Sequence, residues 1–232
     1  LNDVVMNNSP IDIDKLIEGT NEILTANRNS LQLFDMLHSM RQFDDLTYVH
    51  SVNVALIASI LGQWLKFSEK DIRILTISGL LHDIGKIMIP NEILTKPGKL
   101  TVAEYNIMKQ HVNFGYEKVK NQNIDIRIKE ACLLHHEKCD GTGYPFGLKS
   151  DHIPAVAKII AIADVYDAMT SARVYRGALC PFEVIDTMYK DAFTKFEPEY
   201  ILPFLKNVAS SYINNDVRLS DGRIGKVVLI NE

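Results

Sequence analysis

An all-α bundle closed by a small C-terminal β-hairpin is the fold class that this sequence predicts. Apolar residues recur at helical spacing along most of its 232 residues. Gly- and Pro-rich punctuation falls between those stretches, over 89–100 and 140–154. Near the end, two short β-prone runs within 217–230 flank an Asp221-Gly222 turn, a hairpin signal.

In chain order, residues 11–26 and 31–41 read as helices. Asp44 and Asp45 then open a long helix reaching about residue 66, their charge suited to its positive N-terminal end. Ser68 is a cap, with Asp71 three residues on, for a helix that stops near Gly85. Pro90, Pro97 and Gly98 make 89–100 a loop. Thr101 and Glu104 form a capping pair for a helix to about residue 120, and another helix covers 125–137. After the 140–154 loop, Pro154 leads into a helix over 155–170, and helices at 181–194 and 198–212 follow. There is no internal repeat or long linker. The expected organisation is a helical extension over 1–40 and one domain over 41–232.

Composition narrows the function. The apolar fraction is 47%, and 25 basic against 29 acidic residues leave a net charge of −4. That is not the basic footprint of a protein that binds nucleic-acid polymers. An anionic ligand would need a local cluster of positive groups. Cys132, Cys139 and Cys180 form no CxxC pair, and so sparse a set fits a reducing cytoplasm. The first ten residues have neither the basic n-region nor the apolar run of a signal peptide. Residues 46–65 are uncharged and long enough to span a bilayer. However, His50, Ser51, Asn53 and Gln63 interrupt them, and their apolar residues keep helical spacing, so a core helix is expected. A cytoplasmic location follows. The start at Leu1 rather than Met points to a piece of a longer protein, with an upstream sensory or receiver domain and membrane attachment both left open.

Five of the seven histidines lie where a ligand is easier to explain than a bystander. His50 is on the Val54, Ile57, Leu61 stripe and faces inward; alone it reads as a satisfied core histidine. His82 and Asp83 end an apolar helix, where burying both demands a strong partner such as a metal ion; the bland reading is a polar helix end. His111 is uninformative by itself. His135 and His136 follow an apolar run, and adjacent imidazoles there are best kept neutral by binding metal. Asp164 sits inside Ile159-Ile160-Ala161-Ile162-Ala163-Asp164-Val165, where a carboxylate is costly unless paired. A salt bridge to Lys86 or Arg173 is the competing account. His38 and His152 read as surface residues. The Gly79 to Lys86 stretch fails the phosphate-loop spacing, and Ile87 stands where that motif needs a hydroxyl.

Assembled, these segments resemble the HD-GYP family of the HD phosphohydrolase superfamily. The resemblance runs from His50 to the C-terminus. It rests on His50-Ser51, on His82-Asp83-Ile84-Gly85-Lys86 and on Ile93-Leu94-Thr95-Lys96-Pro97-Gly98-Lys99-Leu100. It continues through His111, the complete HHExxDGxGYP run from His135 to Pro145, Asp164 to Thr170, and Arg173-Val174-Tyr175-Arg176. It implies an all-α bundle of the HD superfamily type that hydrolyses cyclic di-GMP or, in some members, cyclic GMP-AMP.

Carried over residue by residue, the implied metal ligands are His50, His82, Asp83, His111, His135, His136 and Asp164. Gly143, Tyr144 and Pro145 shape the substrate-side loop, and Lys86, Arg173 and Arg176 contact phosphate and guanine. Two divalent transition metals are expected, iron or manganese ahead of nickel or zinc, with Asp83 bridging. His50, His82 and Asp164 would complete one ion's set, and His111, His135 and His136 the other's. A hydroxide between the ions would attack phosphorus in line, with Lys86 steadying the charge, to give linear pGpG. Lys86 or a metal-held water would protonate the leaving oxygen. Asp167 is left between a guanine contact and a support for Arg173. Some members carry a glutamate one turn before the first histidine ligand and bind a third ion. Leu46 stands there, so two ions are expected. A catalytically weak cyclic dinucleotide receptor and a cyclic GMP-AMP phosphodiesterase are the alternatives, and a homodimer is compatible with either.

Overall fold

The structure is a computed structural model in which residues 10–12, 14, 18, 46–171, 179–219 and 221–230 are described. The helices expected over 11–26 and 31–41 therefore lie largely outside the described residues, as do Arg173 and Arg176.

Helix α1 (Leu46–Trp64) and helix α2 (Glu69–Leu81) form an antiparallel hairpin. Lys66 turns the corner in the left-handed region at φ 57°, and Phe67 N–H returns to Gly62 O at 2.9 Å, a helix-ending pattern. Ser68 caps α2 by accepting from Asp71 N–H. The pair is close because glycines face it. A Cβ on Gly79 would lie 2.4 Å from Ala55 Cα, and one on Gly62 2.8 Å from Leu75 Cδ1.

A 3-10 segment (Ile84–Met88) follows, then α3 (Asn91–Leu94), α4 (Val102–Met108), α5 (His111–Val119) and α6 (Ile126–Leu134). Helix α7 (Ala155–Thr170) packs on α1, α2 and α6, and α8 (Pro181–Asp191) and α9 (Pro198–Ser211) close the bundle. Leu56, Ile57 and Leu61 of α1 meet Leu75, Ile159, Ile160 and Phe204 in the core, all fully buried. Each such side chain contributes about 1.5–3 kcal/mol. The hairpin closes the chain, with β1 (Asp216–Arg218) antiparallel to β2 (Ile224–Lys226) and Gly222 in the turn at φ 88°. Among the described residues, no helix is long and apolar enough to cross a membrane.

Three local expectations change. The helix expected to stop near Gly85 ends at Leu81, and Gly85 lies in the 3-10 segment. The 89–100 loop contains α3. The helix expected from Thr101 to about residue 120 is two helices, broken at Lys109 and Gln110. Gln110 N–H bonds back three residues to Ile107 O rather than four, and the carbonyl of Met108 accepts from the His111 imidazole. The side chain thus takes an acceptor that a continuous helix would keep for its own backbone. Thr101 and Glu104 make both halves of the capping box.

Candidate metal centre

Five helix ends or faces deliver the site. The end of α2 supplies His82 and Asp83, both buried. The 3-10 segment then brings Lys86 Nζ back onto Asp83 Oδ2. Gly85 is needed here because a Cβ would lie 1.9 Å from His111 O and 2.4 Å from Gly115 N, so α5 rests directly on this backbone. That contact sets His111 Nε2 3.3 Å from Asp83 Oδ1.

The imidazoles are aimed by their outer nitrogens. His82 Nδ1 donates to Gly79 O at 2.8 Å, His111 Nδ1 to Met108 O at 2.7 Å and His135 Nδ1 to Ala131 O at 3.0 Å. A carbonyl only accepts, so in each ring Nδ1 carries the proton and Nε2 presents a lone pair to the centre. His50, on α1, uses a carboxylate instead: Nδ1 donates to Asp167 Oδ2 at 2.7 Å. Its Nε2 then lies 3.1 Å from Asp164 Oδ1 and 3.6 Å from Asp83 Oδ2. His136 turns the other way, with Nδ1 3.8 Å from Asp164 Oδ2.

Two donor groups result. One is His50, His82 and Asp83; the other is Asp83, His111, His135 and His136; the donor atoms of each lie within 4.8 Å of one another. Asp83 is common to both, and Asp164 reaches a histidine of each.

The electrostatics match a cationic occupant. Burial lowers His111, holds His135 well below the ordinary range and pushes His136 down to about 3, so all three are neutral near pH 7. Burial also opposes charge on His50, but hydrogen bonds to Asp164 and Asp167 outweigh it and raise that ring to about 9. Burial works against the Asp83 carboxylate, yet its contacts with His82 and Lys86 hold it well below its usual range; Asp164 is held down against burial by His50. Among the described residues, His82 Nε2 and Asp83 Oδ1 are buried with no hydrogen-bond partner. Such atoms cost about 1–3 kcal/mol each when left so, and a divalent cation between them removes that cost. The cluster is suited to divalent metal.

The loop after His136 folds back over the centre. Glu137 is buried and accepts three backbone N–H groups: Phe146 at 2.7 Å, Gly147 at 3.1 Å and Leu148 at 2.9 Å. A Cβ on Gly143 would lie 2.5 Å from Glu137 Cα and 2.6 Å from His136 O, so only glycine allows the return. Tyr144, joined to Pro145 by a cis peptide, lays its ring on His136 with centroids 4.7 Å apart and planes at 31°.

A family profile described as an HD domain matches residues 17–200. The chain belongs to the HD domain family. Among HD-domain relatives, it is 37% identical over 190 residues to the cyclic di-GMP phosphodiesterase PA4108 of Pseudomonas aeruginosa, covering 82% of this chain and 46% of that protein. It is 36% identical over 173 residues to the 3'3'-cGAMP-specific phosphodiesterase 1 of Vibrio cholerae, covering 73% and 38%. The chain spans about half the length, or less, of these curated relatives. The solved structure of Bd1817, an HDG"Y"P protein from Bdellovibrio bacteriovorus, superposes with a TM-score of 0.67 at 20% identity, over 85% of this chain and 62% of that one. That likeness shows the HD fold.

Within this HD domain, the structure brings together His50, His82, Asp83, Lys86, His111, His135, His136 and Asp164, with Tyr144 at the rim. Asp164 pairs with histidines, and Lys86 goes to Asp83 rather than to Asp164. Two supporting residues were not in the expected set. Asp167 holds His50 and also accepts from Asn53 Nδ2 at 3.0 Å. Its signal was its place three residues after Asp164 on a buried helix, which puts both carboxylates on one face. Glu137 was signalled by its place in the HHExxDGxGYP run, but without a role assigned to it.

Proposed function

We propose that the chain is a metal-dependent phosphodiesterase that opens cyclic di-GMP to linear pGpG. The observation that carries this reading is the pair of donor groups sharing Asp83, each with imidazole nitrogens turned inward. His50, His82, Asp83 and Asp164 would hold one ion, and Asp83, His111, His135 and His136 the other. We favour iron or manganese, with nickel or zinc as alternatives: imidazole suits iron, nickel and zinc, and the carboxylates of Asp83 and Asp164 suit manganese. When bound, two such ions supply Lewis acidity at a phosphoryl oxygen and an activated water.

The protein's own part is orientation and charge. The Nδ1–H bonds to Gly79, Met108 and Ala131 fix the rings before any cation arrives, so little reorganisation accompanies binding. Lys86, poised on Asp83, steadies the non-bridging phosphate oxygens as water adds to phosphorus and the 3′ oxygen leaves. Gly143, Tyr144 and Pro145 wall the substrate side, and Arg173 and Arg176 grip phosphate and guanine. Three free cysteines fit a cytoplasmic protein. An extension over 1–40, an upstream sensory or receiver domain and a homodimer belong to the same reading.

A second substrate has a specific observation in its favour, because the relatives include 3'3'-cGAMP-specific phosphodiesterases at 32–36% identity. The test is turnover of both dinucleotides by protein loaded anaerobically with iron or manganese, with metal content measured on the same sample. Linearisation of cyclic di-GMP in preference is the expected result. Preference for cyclic GMP-AMP moves the substrate assignment. Tight binding without turnover at any metal establishes a receptor instead.

A further inference from the structure

Helix α4 stands beside the centre and buries none of its side chains. Its position is held from outside, by the Thr101 capping box and by Lys96 Nζ at 2.6 Å from Glu104 Oε2. Yet the helix and its C-terminal cap residue bring an aromatic ring and an ammonium toward the site. The ring of Tyr105 meets Tyr144 edge-on, with centroids 6.4 Å apart and planes at 82°. Lys109 Nζ lies 5.3 Å from the Tyr105 centroid and 6.0 Å from that of Tyr144. Tyr144 in turn rests on His136, so one ring separates this ammonium from the metal-ligating cluster.

Tyr105 is 48% exposed, so core packing does not hold it there. Among the described residues no carboxylate pairs with Lys109, whereas Lys86, the other ammonium near the centre, is engaged by Asp83. A half-buried ammonium beside two rings is only a modest contact by itself. The same group offers a π-face and a positive charge side by side, which is what a nucleotide presents in complement: a flat base and a phosphate.

We propose that Tyr105 and Lys109 form a second subsite, in which Tyr105 stacks a purine and Lys109 meets the phosphate that is not being cleaved. This rests on the cyclic dinucleotide reading above. A cyclic dinucleotide has two phosphates and two bases, and the metal cluster engages only one phosphate. The other half of the ring must lie against the wall, and α4 with its C-terminal cap is the wall that carries both matching groups.

The experiment is calorimetric binding of a non-hydrolysable phosphorothioate analogue of cyclic di-GMP to metal-loaded protein. Tyr105→Ala is expected to weaken binding roughly tenfold, the order that loss of one stacked base gives, while Tyr105→Phe binds as the parent does. Lys109→Gln is expected to weaken binding and to make it less sensitive to salt, and Lys109→Arg to restore both. Parental affinity in Tyr105→Ala and Lys109→Gln overturns the subsite. So does weakening that tracks lost metal, because Lys109 is two residues from His111 and a purely structural role would show in this way. A parent protein that binds the analogue and cleaves cyclic di-GMP, with variants unchanged, sinks the subsite alone. A parent that neither binds nor cleaves sinks both readings.

Discussion

His50 and Asp167 share a hydrogen bond of 2.7 Å between Nδ1 and Oδ2, and this bond turns the other nitrogen of His50 toward Asp164 and Asp83. One helix, α7, thus holds both the carboxylate beside the ion site and the carboxylate that aims a histidine into it. Asp167→Asn keeps the shape but lets an amide N–H face the ring. Metal affinity is expected to fall about 10- to 100-fold. Competition with a chelating dye measures it, and unchanged affinity would show that His50 is aimed by something else.

Glu137 supports the loop rather than the ions. In Glu137→Gln one oxygen becomes an amide that cannot accept from the backbone, leaving a donor opposed to a donor. Denaturant unfolding is expected to show a loss of about 1–3 kcal/mol. Because the loop carries Tyr144, KM for the dinucleotide should rise as well. A variant as stable as the parent would mean that water satisfies the N–H left without an acceptor.

Division of labour between Asp83 and the arginines can be read on one instrument. Asp83→Ala removes the donor common to both groups, so both ions and all turnover should be lost. Arg173→Ala and Arg176→Ala should raise KM with metal content intact, as expected of groups that grip substrate only. Metal loss in either arginine variant, seen by elemental analysis, would assign them a different role.

The number of ions follows from position 46, one turn before His50 at the start of α1. Leucine has no donor atom, so two ions are expected. Anomalous scattering from crystals grown in excess metal counts them directly. A third strong peak beside His50 would contradict the argument, whereas two peaks make Leu46→Glu the natural way to build a third site.

Much of this architecture was readable from residue order because local chemistry and tertiary need agree. Ser68 and Thr101 cap the helices that their side chains predict, and Asp164 in its apolar run marked a buried pairing that the structure shows with His50. The break at Lys109 and Gln110 was not readable. Neither residue is a helix breaker, and the interruption is tied to the imidazole of His111 taking the Met108 carbonyl. Asp167 was ambiguous for a related reason. A carboxylate on a buried helix announces that it has a partner, but which partner depends on where α1 crosses α7.

The segment bearing Asp83 and the helix bearing His111 meet main chain to main chain at Gly85. The 3.3 Å approach of His111 Nε2 to Asp83 Oδ1 therefore rests on backbone packing as well as on side-chain rotamers. A single methyl group at residue 85 would force α5 outward and carry His111 with it. The spacing of two candidate ligands is thus held by a residue that has no side chain of its own.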